Sequence, residues 1–206
     1  LVHGLGRTAR SLKRIEWTLE GAGYRVINES YPSTRLSVEE AANVWLASLL
    51  EDRTPDQSAR IHFVTHSLGG LVVRQYLADH QLANLDRVVM LAPPNQGSEL
   101  ADRLKNNLLF KFIDGPAGQQ LGTDSTNLPA RLGPVAFELG VIAGDRSLNP
   151  LFSACLPKPN DGKISVQSTA VEGMREQLVI HGTHTWMMWR GDVARAVVRF
   201  LEEGAF

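Results

Sequence analysis

The alternation of strand-like and helix-like stretches along this chain of 206 residues predicts an α/β protein, a mainly parallel sheet flanked by helices on both faces. Three observations carry that prediction. Val88 to Ala92 is a continuous apolar run, the mark of a strand buried on both faces, and Phe137 to Ala143 reads as another. Between such runs lie stretches whose apolar residues recur three and four apart, the spacing of a helix with one buried face. A serine stands at the junction of a strand and a helix, in Thr65-His66-Ser67-Leu68-Gly69-Gly70.

In chain order, Leu1-Val2 reads as a strand end running into the loop His3-Gly4-Leu5-Gly6. Arg10 to Glu20 reads as a helix with Leu12, Ile15 and Leu19 on one face, ended by Gly21-Ala22-Gly23. Tyr24 to Asn28 reads as a short strand. Ser37 and Glu40 have the spacing of a capping box, and the helix they open carries Val38, Ala41, Ala42, Trp45, Leu46 and Leu49. Arg60 to Thr65 is the strand that leads into the serine, and a helical pattern from Leu68 through Leu71, Val72, Gln75, Tyr76 and Asp79 leads out. Pro93-Pro94 stops the next strand. Gln177 to Ile180 is the last strand, and Asp192 to Glu203 the last helix, with Val193, Val197, Phe200 and Leu201 inward and Gly204 as its stop. With no repeat, low-complexity tract or linker, residues 1–206 read as a single domain. The less regular stretch at about 95–135 is the natural cap over a site. Within it Leu108, Leu109, Phe110 and Phe112 either cover the core, the commoner use of apolar residues at helical spacing, or form an apolar cap facing a lipid interface.

A formal net charge of -1 offers no basic field for nucleic acid or an anionic membrane. The one cysteine, Cys155, makes no internal disulfide, which favours a reducing compartment such as the cytoplasm; alone and without a motif it reads as a small buried residue. No apolar run reaches the length of a membrane span. Because the chain opens on a strand end without an initiator methionine, residues upstream are expected, with room among them for a signal or anchor.

Ligands of an open parallel sheet bind beyond the carboxyl ends of its strands. Reactive residues just after expected strands are His3, Ser67, Asp145 or Asp161, and His181 or His184. A serine hydroxyl is a poor nucleophile until a base takes its proton. Ser67 sits where a sharp turn would expose it, with Gly69 allowing the turn to be tight and Gly70 letting the helix pack close. Its competing use is as a plain helix cap. Thr65 stands where the G-x-S-x-G pattern has its first glycine. Among the histidines, His62 reads as a core residue, His66 as locked in the turn and pointing away from Ser67, and His80 as a helix C-terminal residue. His184, deeper in the last loop than His181, is the favoured base. Trp186, Met187 and Met188 beside it read as packing. An acid must then hold the imidazole in the right tautomer. Position admits both Asp145, whose competing use is an ion pair with Arg146 or another base, and Asp161, whose competing use is turn chemistry in Asn160-Asp161-Gly162; Asp161 is the favoured one. Backbone N–H groups of Leu68, at the helix start, and of Leu5, in the first loop, are the expected oxyanion donors.

Four segments, Val2 to Gly6, Val64 to Gly70, Leu91 to Ser98, and Asp161-Gly162 with Thr183-His184-Thr185, together resemble the α/β-hydrolases of the bacterial lipase and esterase type. The order Ser, Asp, His is that family's order. The resemblance implies Ser67 as nucleophile, Asp161 as acid and His184 as base. It also implies a lipase-like hydrolysis of carboxylic esters with an ester or lipid substrate and no cofactor. The structural calcium of some such lipases is not carried over, since there is no Asp-rich loop to hold it. The same three residues would serve an acyltransferase or a thioesterase. From another class, a hydrolase-fold protein could bind a lipid or a partner without turnover.

Overall fold

Among the described residues, four strands form one parallel sheet whose spatial order, β1-β2-β3-β4, is also their order in the chain. They are β1 (Ile61–His66), β2 (Leu85–Leu91), β3 (Glu138–Gly144) and β4 (Glu176–Ile180). The computed structural model describes residues 1–54, 56, 58–104 and 115–206. Register is continuous across the sheet: His66 pairs with Leu91, Leu91 with Ile142 and Ile142 with Leu178. Val2 adds a parallel bridge to Thr65 on the outer side of β1.

Successive side chains of a strand point to opposite faces, so the central strands feed two cores. Phe63, Val88, Met90, Leu139 and Val141 join one core. Val64, Val89, Leu91 and Ile142 join the other. The second core is closed by α1 (Lys13–Gly21), which follows a 3-10 turn at Ala9–Leu12, and by the C-terminal helix. The first is closed by a helical run in three parts and by α4. The run comprises α2 (Val38–Glu40), a π-helical segment Ala41–Leu46 and α3 (Ala47–Arg53); α4 is Leu68–Asp79. Ser37 caps the run as expected: its Oγ accepts from Glu40 N at 3.1 Å, and Glu40 Oε2 accepts from Ser37 N at 2.8 Å. Shorter helices include α5 (Glu99–Leu104), α6 (Leu128–Arg131), α7 (Pro150–Ala154) and α8 (Val166–Thr169). The last, α9 (Gly191–Glu203), buries Val193, Val197, Phe200 and Leu201 and stops at Gly204, whose φ of 76° is left-handed. Gly140 lets α9 approach, because a Cβ there would lie 2.6 Å from the Phe200 ring.

Three expectations fail. Tyr24 to Asn28 joins no strand ladder among the described residues; a single main-chain bond, Leu1 N to Ile27 O at 2.7 Å, ties it to the first residue. His62 is not a core residue, because β1 begins at Ile61 and leaves it at the rim, with Nε2 3.7 Å from Asp86. Cys155 is half-buried rather than enclosed. The apolar cluster Leu108, Leu109, Phe110 and Phe112 lies outside the described residues.

Candidate active site

Ser67 follows the last residue of β1 and precedes the first of α4, and its backbone sits at φ 52°, ψ -122°. A positive φ at a residue with a Cβ costs about 1–3 kcal/mol and persists only where the surroundings hold it. Here Ser67 N donates to Leu91 O at 2.8 Å and His66 N donates to Val2 O at 3.0 Å, fixing the turn to strands on either side. Gly69 is required by closeness: a Cβ there would lie 2.3 Å from Val2 O. A Cβ at Gly70 would meet Pro93 at 3.0 Å and the Met90 sulfur at 3.2 Å. Thr65, in the place of the pattern's first glycine, is wholly buried, and its Oγ1 is 3.4 Å from where a residue-70 Cβ would sit. That is ordinary contact, so the tight packing at Gly70 is against Pro93 and Met90 rather than against Thr65.

The structure brings Ser67, His184 and Asp161 into one hydrogen-bonded line. His184 Nε2 is 3.1 Å from Ser67 Oγ, and His184 Nδ1 is 2.7 Å from Asp161 Oδ2. Both partners of the second bond are buried. Asp161 serves its turn at the same time, since Oδ1 accepts from Lys163 N at 2.9 Å and Ile164 N at 2.8 Å. The two functions use different oxygens, so the turn orients the carboxylate toward the imidazole. His184 N also donates to Asp161 O at 3.1 Å.

Asp145 and His181 are elsewhere. They pair with each other, Oδ1 to Nδ1 at 2.9 Å, with Arg146 Nε against the same ring. Their side chains are 30% and 61% exposed, against 1% and 5% for Asp161 and His184. Asp145 is thus engaged by His181 in a side-chain hydrogen bond, as its competing use as a partner for a nearby base anticipated.

The first loop lies against the elbow: a Cβ on Gly4 would be 3.0 Å from Ser67 Cβ. His3 anchors that loop, accepting from Tyr31 N at 3.1 Å while Tyr31 Oη donates to His3 O at 2.9 Å. Burial lowers the His3 pKa, so the neutral acceptor form is favoured. Leu5 follows Gly4 in this loop. Leu68 begins α4, where N–H groups have no partner within the helix.

Sequence reading missed two residues. His66 does not merely point away from Ser67; its ring lies under His184, centroids 4.9 Å apart, with Nε2 3.1 Å from His184 O. The signal was strand parity, since His66 shares a face with Val64, and that face is where Met187 and Met188 pack. Arg74, on α4, is buried. Its Nη1 donates to Asn95 O and Oδ1, each at 3.1 Å, and its Nη2 to Gly133 O at 2.6 Å. Burial pushes its pKa down to about 10. No local pattern distinguishes such an arginine from a surface one. Trp186, expected to pack, is 58% exposed, whereas Met187 and Met188 are fully buried.

Among the described residues, no group of three or more His, Cys, Asp or Glu side chains is placed to hold a metal ion. A cavity of about 350 Å³ opens among Leu19, Val26, Leu50, Phe63 and Leu201, at the amino-terminal half of β1, and includes none of Ser67, Asp161 and His184 in its lining.

The family model described as "Domain of unknown function (DUF7379)" matches residues 1–120, and the chain belongs to that family. No curated protein matches the sequence. Among solved structures, the chain is similar to the mature Bacillus licheniformis lipase BlEst2, with a TM-score of 0.77 at 17% identity, covering 100% of this chain and 90% of that one. The Legionella pneumophila phospholipase PlaB superposes at 0.77 and 19% identity over 99% of this chain, which spans only 59% of its length. The Paleococcus ferrophilus monoacylglycerol lipase gives 0.61 at 21% identity, covering 99% and 93% of the two chains. The parallel sheet with helices on both faces and these likenesses place the chain in the α/β-hydrolase fold.

Proposed function

We propose that this chain is a serine hydrolase of carboxylic esters that works through an acyl-enzyme. The observation that carries the reading is the unbroken line from Ser67 Oγ through the His184 ring to Asp161, at 3.1 and 2.7 Å. In this reading Ser67 Oγ attacks the ester carbonyl while His184 Nε2 takes its proton. The imidazolium returns that proton to the departing alkoxide, which leaves as the alcohol. Water, deprotonated by the same nitrogen, then attacks the acyl-enzyme, releasing the acid and restoring Ser67. Asp161 keeps the proton on Nδ1 and stabilises the charged ring. Leu5 and Leu68 N–H groups hold the oxyanion, each contributing about 100- to 1000-fold in rate.

The names of the three similar structures support an acyl ester of a lipid as the substrate class. Arg74 ties Asn95 to Gly133 across α4, bringing together the two described ends of the stretch expected to cap the site. A series of p-nitrophenyl esters from acetate to laurate tests the reading. The wild-type chain is expected to hydrolyse members of the series and Ser67→Ala none above background. A well-folded wild-type chain inert on every ester would overturn it.

A further inference from the structure

We propose that His66 is a positioning residue for the catalytic base, gripping the main chain of His184 while its neighbour Ser67 engages the ring; the proposal rests on the hydrolase reading above. His184 is held at four points. Its N–H donates to Asp161 O at 3.1 Å, its Nδ1 meets Asp161 Oδ2 at 2.7 Å, and its Nε2 meets Ser67 Oγ at 3.1 Å. The fourth point is its carbonyl oxygen, 3.1 Å from His66 Nε2. A carbonyl only accepts, so His66 Nε2 carries the proton and donates. Two of the four points come from consecutive residues of one elbow, and that elbow is itself tied to Val2 and Leu91. His66 therefore sets the height of the His184 loop above Ser67 with a single rigid ring.

The alternative, a histidine that only fills space, leaves the donor unexplained. His66 is 1% exposed, and its Nδ1 has no hydrogen-bond partner among the described residues, lying 3.0 Å from the place of a Gly4 Cβ. A second proton there would be buried without an acceptor, 4.9 Å in ring-to-ring distance from His184. Burial first, and then the neighbouring titratable groups His184, Arg7 and Lys163, disfavour a second proton on the ring, against which only the bond to His184 O acts. A neutral donor beneath the base can hold it without opposing the imidazolium that forms during attack. Displacing reacting groups by about 1 Å can cost on the order of 100-fold.

The experiment compares His66→Phe, which keeps the ring and loses the donor, with His66→Gln, whose amide N–H reaches a similar point. In steady-state hydrolysis of a p-nitrophenyl ester turned over by the wild type, kcat of His66→Phe is expected to fall about 10- to 100-fold with KM within about 2-fold. His66→Gln is expected to recover most of the loss. Wild-type kcat in His66→Phe, or equal losses in both variants at unchanged melting temperature, overturns the positioning role and leaves the hydrolase reading standing. A wild type without turnover removes both. Should His66→Phe fail to fold, nitrogen-15 histidine spectra of the wild-type chain decide. A neutral ring protonated on Nε2 from pH 6 to 8 supports the proposal; an Nδ1 proton in that range overturns it.

Discussion

The chain contains two aspartate–histidine pairs built from the same pair of strand exits, and they differ in almost everything but the pairing. Asp145–His181 and Asp161–His184 have Nδ1–O distances of 2.9 and 2.7 Å. The first pair lies in water, with the imidazole 61% exposed and an arginine beside it. The second is sealed, its carboxylate anchored by two backbone N–H groups and its outer nitrogen delivered to Ser67. A solvated pair is screened and contributes little, whereas a buried and hydrogen-bonded one fixes both tautomer and direction. A histidine beside an aspartate is thus a weak sign of function. What distinguishes the second pair is the enclosure and the partner of the far nitrogen.

That contrast can be broken by swapping losses between the pairs. His184→Ala is expected to reduce kcat/KM for an ester by about 10⁴-fold or more, while His181→Ala stays within about 3-fold. Asp161→Asn should cost about 10⁴-fold, because an amide facing Nδ1 favours the wrong tautomer, yet its remaining oxygen can still serve the turn and preserve the fold. Asp145→Asn should change the same rate less than about 2-fold; a large loss there with none at Asp161 would invert the assignment. Next in size is Gly69→Ala. Its Cβ would collide with Val2 O, so a stability loss of about 1–3 kcal/mol is expected in denaturant titration.

Smallest is a pH effect on stability from the three imidazoles that folding removes wholly or partly from water. Burial lowers the pKa values of His3, His62 and His66 below the ordinary imidazole range. Below about pH 6.5 the unfolded chain takes up protons that the native one refuses, so stability falls as pH drops, by about 1.4 kcal/mol per pH unit for each histidine that stays neutral. Melting temperature should therefore decline from pH 6.5 to 5.5, and His66→Gln should blunt the decline. Equal slopes in both proteins would contradict the burial argument.

The sheet was legible because its signals are local. The stretches 60–65, 88–92, 137–143 and 177–180 differ from the observed strands by a few residues at their ends. Tyr24 to Asn28 has strand-like residues but no neighbouring ladder to join, and a strand exists only through its partner. Places after strands gathered Ser67, a histidine and an aspartate at one sheet edge but admitted Asp145 as well as Asp161, and the resemblance to lipases favoured Asp161. The pairing of Asp145 with His181, the reach of Arg74 across two distant loops and the bond from His66 to His184 depend on contacts between residues far apart in sequence. Only His66 left a trace in the pattern, through the face it shares with Val64.

Whether Ser67 is chemically activated is measured most directly by the reaction of the folded chain with a fluorophosphonate. Intact-mass and peptide mapping are expected to show one adduct, on Ser67, formed rapidly in the wild type and in Asp145→Asn and suppressed in His184→Ala. A folded chain that resists labelling, or that carries the adduct on another residue, would contradict that activation.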